Sequence, residues 1–458
     1  MIPALLIGVW AASVALIPSI PVAVALVVPV VLLPAAWWIL NRSSNWVAGF
    51  LGAALLLPPL PIALGNSGPH PALLFAAAGG WVGLVRLREW RRMIDSTARA
   101  MLIFLVVLLA SVVCAALYSG PEIAMSSLAR IGLFGIAVYI YIYETSGPGA
   151  ATPVGSARTI RWLLIAAFLV ALFACLDFYY QLPAPAGYGP QFVWLGSAVL
   201  RRAQGLFYEA STLGNFCAFF LVFIAVIASQ SSRTISRLWL ALVAVALAIA
   251  LVFSYSRGSI VCLGCALAAL LFLRGWHTRI RLRWLVLVVL AIPITMAAVY
   301  ALFPAFAQLY LLRLSASLEF FSAEPNRILS GRLDSWLAIV TMISEHPWYL
   351  LTGIGYKTLP YTNLGGTGIP IVADNMYLSV LLETGIAGFV AFLWMNARIL
   401  MASYRSAVQG NQFGIWIFCF WIGELVQMLS GDLFTYWRVL ALYFWVLACA
   451  AKACVDER

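Results

Sequence analysis

Long apolar runs alternate with short polar segments along this chain. The runs are continuous over about 15–20 residues, which predicts membrane-spanning helices and not the alternating strands of a membrane β-barrel. The pattern therefore predicts an all-α, polytopic integral membrane protein with about 12–14 transmembrane helices. The fourteen candidate spans cover approximately 2–18, 21–40, 46–64, 71–85, 100–118, 128–143, 161–179, 212–229, 238–253, 259–273, 284–303, 376–396, 413–430 and 439–453.

Composition excludes the ordinary soluble classes. Of the 458 residues, 64% are hydrophobic and 9% are charged, and the mean hydropathy is +1.00. A soluble domain carries about 25% charged residues. The net charge of +11 is distributed among short loops, which argues against nucleic acid as a partner.

Arginines mark every second loop. This positive-inside pattern orients helices and places these loops in the cytoplasm. Both termini are then predicted to be cytoplasmic. The arginine-bearing loops are 41–45, 86–99, 144–160, 230–237, 274–283 and 397–412.

Two loops on the opposite side are long, and long loops are usually functional. They cover about 180–211 and 304–375. Within the second loop, the periodicity of 332–345 predicts an amphipathic helix on the membrane surface or on the bundle. Its apolar face is predicted to contain Leu333, Trp336, Leu337, Val340 and Ile343. We divide the chain into N-terminal helices, helices with outer arginine motifs, the large periplasmic loop and C-terminal helices, at 1–179, 180–303, 304–375 and 376–458.

Three outer arginines are candidates for binding an anion. Arg202 precedes a span, Arg257 lies in a short Ser-Arg-Gly turn, and Arg332 begins the amphipathic helix. The planar guanidinium fork suits phosphate, and several such groups at one membrane face suit a lipid pyrophosphate. The alternative is that they reach lipid headgroups or pair with nearby acids.

Two carboxylates at similar depth are candidates for a general base. Asp374, followed by Asn375, lies just before a span, where Asp and Asn also favour a helix-capping role. Glu209 is the rival base, because either carboxylate could accept a proton from a sugar hydroxyl. Tyr208 and Trp336 could stack on sugars or belong to the aromatic belt.

Other reactive residues do not predict a metal site or a disulfide framework. The eight cysteines lie in or beside apolar runs, and the three histidines are scattered. Placing a charged residue inside a bilayer costs free energy, so such residues face the interior of a bundle and pair. We therefore expect Arg130, Glu383 and Glu424 to face the bundle interior and to pair. The alternative is that they form a proton or ion pathway.

The order of motifs over about 200–395 resembles the O-antigen ligase/polymerase superfamily. An Arg-x-x-Gly-x-Phe segment precedes a span, a Ser-Arg-Gly turn follows, and the long loop contains Gly-Arg-x-x-x-Trp. The loop continues with Gly-Ile-Gly at 353–355 and Asp-Asn-x-Tyr-Leu at 374–378, and Glu-Thr-Gly lies at 383–385. No comparable signature marks the N-terminal spans.

The resemblance implies a glycosyltransferase with a GT-C-like helical bundle. Such enzymes act on the outer face of the inner membrane, use a polyprenyl-pyrophosphate-linked saccharide donor, and need no metal or other cofactor. The resemblance matches Arg202 and Arg257 to the family's pyrophosphate-binding arginines, and Arg332 to the arginine in the family's long loop. Ligases of this family usually carry a histidine where this chain has Asp374, which favours a polymerase.

The expected function is therefore joining undecaprenyl-pyrophosphate-linked repeat units into O-antigen or exopolysaccharide by inverting transfer. The catalytic candidates are Asp374, Glu209 and Arg257, and the acceptor-glycan candidates are Asn375, Tyr208 and Trp336. The expected partners are the lipid-linked oligosaccharides, membrane lipid and a chain-length regulator protein. The alternatives are transfer of the glycan to lipid A-core, a flippase for lipid-linked oligosaccharides, and a non-catalytic membrane scaffold.

Overall fold

A computed structural model describes most of the chain. The described residues are 44–60, 69–91, 94–151, 157–185, 187–195, 198–229, 235–274, 332–362 and 371–453, with single residues between 297 and 308. They form helices α1 Asn45–Leu56, α2 Ala72–Val85, α3 Ser96–Ser119, α4 Pro121–Ser146, α5 Ala157–Tyr180, α6 Ala210–Ala228, α7 Arg237–Phe253, α8 Arg257–Arg274, α9 Arg332–Glu345, α10 Tyr349–Thr352, α11 Met376–Val408, α12 Gln412–Gln427 and α13 Trp437–Ala453. Strands β1 Phe192–Leu195 and β2 Ala198–Arg201 form one antiparallel hairpin, in which Phe192 faces Arg201.

The helical, membrane-spanning fold class is confirmed. Six helices in the described part of the chain are long and apolar enough to cross a membrane: α3, α4, α5, α6, α8 and α11. Four shorter apolar helices accompany them: α1, α2, α7 and α12. The predicted spans 2–18 and 21–40, and nearly all of 284–303, lie outside the described residues, so the full helix count and the four-part division stay predictions.

One predicted boundary is wrong. The segment 397–412 was expected to be a cytoplasmic loop, but α11 continues to Val408. Buried Ile399, Ser403, Ser406 and Ala407 hold this extension against the bundle. The arginines of the segment concealed the underlying helical periodicity.

Helix α6 is at the centre of the bundle. In this helix, 94% of an 18-residue stretch is buried, and α7, α8 and α12 pack around it. Trp416 of α12 stacks on Phe223 with ring centroids 3.9 Å apart and lies 4.1 Å from the Phe219 ring. Such rings bury large apolar areas and fix the packing of neighbouring helices. The start of α6 is thereby fixed relative to α8 and α12.

Helix α11 is interrupted at Gly385, where a short segment re-enters the bundle. Gly385 has φ +71°, so the carbonyls of Leu382 and Glu383 lose their helical partners. The amides of Ile354 and Gly355 donate to these carbonyls at 3.1 and 2.9 Å. A Cβ at Gly355 would lie 2.5 Å from the backbone of α3. This close approach, together with φ +110°, requires glycine.

The charged residues inside the spans stabilise backbone and polar side chains instead of pairing with one another. Glu383 accepts from the amide of Leu359 at 3.3 Å, and Arg130 donates to the carbonyl of Lys357 at 3.3 Å. Glu424 accepts from Asn215 of α6. The expectation that Arg130, Glu383 and Glu424 pair is therefore wrong, because non-helical backbone inside the bundle needs these partners.

The amphipathic helix is confirmed as α9, and Ile343 of its predicted apolar face packs against the bundle. Ile339 and Met342 are buried against the bundle. Leu337 and Val340, which were predicted to share the apolar face with Trp336, are 57% and 52% exposed.

Candidate functional site

Arg202 is fixed to the turn that precedes α8. Its Nε donates to the carbonyl of Ser254 at 2.8 Å, and the next amide, Ala203, donates to the carbonyl of Phe253 at 2.9 Å. These two bonds join the segment before α6 to the end of α7. Arg257 begins α8 three residues after Ser254, so two of the candidate arginines are on adjoining backbone.

A buried carboxylate at the end of α5 positions this segment. Asp177 accepts from the amides of Gln204 and Gly205 at 3.3 and 3.1 Å, and from Arg201 Nη2 at 3.3 Å. Arg201 also donates to the carbonyl of Leu182. Arg201 therefore holds the loop, whereas its neighbour Arg202 is directed to the Ser254 turn. The sequence did not single out Asp177, because a lone acid at the end of a span gives no pattern.

Arg257 occupies the first turn of α8, where unpaired backbone N–H groups favour anions. It is half-buried, and the preceding Tyr255 is left-handed with φ +52°. Burial lowers the pKa of Arg202; the negative charge of Glu209 opposes this shift, and the charges of Arg332 and Arg257 add to it. Glu209, Arg332 and Arg257 therefore all lie within electrostatic range of Arg202.

Arg332 forms an ion pair with Asp374. Its Nε lies 3.2 Å from Asp374 Oδ2, and both side chains are partly exposed. Trp336 of the same helix donates to the carbonyl of Ala373 at 2.8 Å, so α9 is fixed to the residues before α11 at two points. The amide oxygen of Asn375 accepts from the amides of Tyr377 and Leu378.

Asn375, and not Asp374, therefore caps α11. Asp374 has φ +41°, a left-handed conformation that is uncommon outside glycine but that Asp and Asn adopt more often than most residues. Such conformations are frequent at functional sites.

Glu209 is the residue immediately before α6. Its Oε2 accepts from the hydroxyl of Thr212 at 2.6 Å. Burial raises the pKa of Glu209, while the Thr212 hydrogen bond and the positive charges of Arg438, Arg202 and Lys357 oppose this effect. The neighbouring Tyr208 is left-handed, with φ +55°, and its ring lies 5.4 Å from that of Tyr188.

The comparison with known families bears on this site. Residues 242–393, about a third of the chain, match the family described as O-antigen ligase. This region of the chain is similar to the O-antigen ligase family. The resemblance seen in the sequence is thereby confirmed. No curated protein matches the chain.

The matched region 242–393 contains Arg257, Arg332 and Asp374, while Arg202 and Glu209 precede it. The structure brings these five residues together at one end of the bundle, where α6, α8 and α11 begin. Tyr208 and Asn375 adjoin the group in sequence, and Trp336 is fixed beside it. Their sugar-binding role stays a prediction, because Asn375 and Trp336 already bond to backbone.

Three further residues lie near the same end. Lys357 and Arg438 are basic residues that the charge pattern predicts on the outer side, but they were expected to have a smaller role than Arg202 and Arg257. Arg438 is buried, donates to the carbonyl of Leu206 at 2.9 Å and acts on Glu209. Lys357 forms an ion pair with Asp432. Tyr436, which was not a sequence candidate, is also buried; burial raises its pKa, and so do the charges of Glu209 and Asp374.

The arrangement can bind a multiply charged anion beside a carboxylate. Arg202, Arg257 and Arg332 provide guanidinium groups on three different elements, which suits a ligand with several phosphoryl oxygens. Glu209 and Asp374 provide two carboxylates next to them. An anionic leaving group and a base for a hydroxyl are the two requirements of metal-independent glycosyl transfer.

Proposed function

We propose that this protein is a polysaccharide polymerase that uses undecaprenyl-pyrophosphate-linked oligosaccharides. The observation that carries the proposal is the proximity of Arg202, Arg257 and Arg332 to Glu209 and Asp374. Arg257, Arg332 and Asp374 lie in the region 242–393 that matches the O-antigen ligase family. The pyrophosphate headgroup of a lipid lies at the membrane face. The five charged residues lie at helix ends, which suits a ligand at that depth. The active site is proposed to face the periplasm, with both termini cytoplasmic.

The reaction follows from the charges. A hydroxyl of the acceptor saccharide attacks the anomeric carbon, the new C–O bond forms, and the bond from that carbon to the pyrophosphate oxygen breaks. The electron pair leaves with undecaprenyl pyrophosphate, and the hydroxyl proton passes to a carboxylate. A single displacement of this kind inverts the anomeric configuration.

The arginines stabilise the leaving group. Negative charge grows on the pyrophosphate in the transition state, and preorganised donors aimed at such charge are a large catalytic term. Arg202 and Arg257 bind the pyrophosphate, and Arg332 on α9 covers it. Asp374 serves as the base, with Glu209 as the alternative, while Asn375, Tyr208 and Trp336 orient the acceptor.

A ligase is the second candidate, because the matching family is described as O-antigen ligase. In that reaction the acceptor is lipid A-core and the donor chemistry is unchanged. Asp374 at the position of the family's usual histidine favours the polymerase. A flippase is a weaker candidate, because transporters place their polar groups near the bilayer midplane, whereas these charges gather at helix ends.

Glycan analysis in a deletion strain tests the proposal. The strain is complemented with the unchanged gene, with Arg257→Ala or with Asp374→Ala, and the surface polysaccharide and lipid A fractions are run side by side. A polymerase deletion loses polymer while single repeat units still reach their acceptor. Free lipid-linked polymer with bare lipid A identifies a ligase, and repeat units trapped on the cytoplasmic face identify a flippase.

A further inference from the structure

The loop before α6 contains a glutamine that joins two parts of the site. Gln191 immediately precedes β1, and its backbone carbonyl accepts from the amide of Arg202 at 2.8 Å. Its side-chain Oε1 accepts from the amide of Ala210, the first residue of α6, at 2.9 Å. One residue therefore connects the backbone of Arg202 with the start of the helix that Glu209 precedes.

The side chain of Gln191 gives the first amide of α6 its acceptor. The first four amides of a helix have no partner within it, and the side chain of the residue before the helix commonly binds one of them. That residue is Glu209, and its carboxylate makes no such bond. Ala210 is buried, so its amide needs an acceptor from the protein, which Gln191 provides. The Glu209 carboxylate instead accepts from the hydroxyl of Thr212 at 2.6 Å.

A second glutamine holds Gln191 in this position. Gln204 is buried, and its Oε1 accepts from the amide of Gln191 at 3.4 Å. Its Nε2 donates to the carbonyls of Gly189 and Tyr208 at 2.9 and 2.8 Å. The segment before β1 and the backbone of the left-handed Tyr208 are therefore fixed by one buried amide group. Both ends of the link between Gln191 and α6 are held in place.

The opposite end of the bundle shows a simpler way to cap a helix. Asn411 immediately precedes α12, and its Oδ1 accepts from the amides of Phe413 and Gly414 at 2.8 and 3.1 Å. Helix α6 takes its acceptor from a residue 19 positions away in the sequence, although a carboxylate stands directly before the helix. That carboxylate is left to face a ligand.

We propose that Gln191 is a positioning residue of the glycan-transfer site, whose side chain caps α6 in place of Glu209 and leaves the Glu209 carboxylate available to the acceptor saccharide. This inference rests on the proposed function. The backbone carbonyl of Gln191 holds the backbone of Arg202, and a substitution of the side chain keeps that bond. The side chain therefore acts through Glu209 on the acceptor, and binding of the pyrophosphate by Arg202 does not depend on it.

The kinetics of Gln191→Leu separate this role from a purely structural one. Initial rates of glycan transfer are measured in proteoliposomes over a range of concentrations of the lipid-linked substrate. We expect kcat to fall by about 10- to 100-fold, because a misplaced group at a reacting centre costs about this much, while KM stays within about twofold. Asn411→Leu is the matched control, because it removes a helix cap far from the site. We expect it to lower the melting temperature as Gln191→Leu does and to keep kcat. A kcat in Gln191→Leu that equals that of Asn411→Leu overturns the proposal.

A double-mutant cycle tests whether Gln191 acts through Glu209. The variants are Gln191→Leu, Glu209→Ala and the two changes combined. We expect Gln191→Leu to cause no further loss of kcat once residue 209 is changed, because residues that act as a unit have non-additive effects. Additive losses, or full kcat in Glu209→Ala, overturn the proposal. Absence of any new linkage with the unchanged protein refutes the proposed function instead.

Discussion

Replacement of Arg202 by lysine separates charge from geometry at the proposed pyrophosphate site. The Arg202→Lys variant keeps the positive charge but loses the Nε bond to Ser254 and the planar fork. One lost intramolecular hydrogen bond is worth about 1 kcal/mol, and a lost bond to a charged group about 1.5–3 kcal/mol. Together they amount to about 2.5–4 kcal/mol, which corresponds to roughly a 70- to 900-fold loss in kcat/KM.

The neighbouring Arg201 offers a matched control. Arg201→Lys makes the same chemical change one residue away, but Arg201 pairs with Asp177 and a lysine can keep that ion pair. The assay is the initial rate of glycan transfer by purified protein in proteoliposomes, at several concentrations of lipid-linked donor. We expect Arg201→Lys to stay within about threefold of the unchanged protein, since its target is a loop carboxylate. Equal losses in Arg201→Lys and Arg202→Lys, or full activity in Arg202→Lys, would refute the reasoning.

Three further substitutions test other parts of the account. In Asp374→Asn the new side chain tolerates the left-handed backbone, and the lost ion pair with Arg332 is partly exposed, so the melting temperature should change little. Transfer should fall by about 100-fold or more, because the amide cannot act as the base. Full transfer would assign the base to another group. Gly385→Ala places a Cβ 2.7 Å from a backbone oxygen, at a residue whose φ is +71°, and should lower the melting temperature and the yield in detergent. Gly80→Ala is the control, because its Cβ would meet no atom within 4 Å. Equal melting temperatures of the two variants would contradict this reasoning. His70 has its pKa lowered to about 4 by burial and by Arg438, so the folded state binds fewer protons and stability falls as the pH drops from about 6.5 towards about 4. That loss is on the order of 3 kcal/mol, and melting curves of His70→Gln should lack it.

The sequence was sufficient for the helical class. Continuous apolar runs specify helices, because the backbone must satisfy its own hydrogen bonds in a bilayer. Arg202, Arg257 and Arg332 were candidates because basic residues on the predicted outer side oppose the usual charge distribution. The structure places Arg257 and Arg332 within electrostatic range of Arg202 and pairs Arg332 with Asp374, while the role of these residues stays a prediction.

The residues that position the site could not be predicted from the sequence. Lys357 and Asp432 are 75 positions apart, and no local pattern connects them. Arg130, Glu383 and Glu424 were expected to pair inside the bundle. No sequence pattern indicates that a non-helical segment enters between the helices that carry Arg130 and Glu383 and binds both side chains. The kink at Gly385 creates the free carbonyls for that segment, and a single glycine in a span is too common to predict such a kink.

The measurement that tests the central claim most directly is transfer by the purified protein alone. The protein is reconstituted in liposomes with an undecaprenyl-pyrophosphate-linked repeat unit and without nucleotide sugar or added metal. The account predicts products extended by whole repeat units, release of one undecaprenyl pyrophosphate per new linkage, and loss of both in Arg202→Lys. Release of undecaprenyl pyrophosphate only when lipid A-core is added would identify a ligase. Movement of the intact lipid-linked unit across the bilayer, without any new linkage, would contradict the enzymatic account.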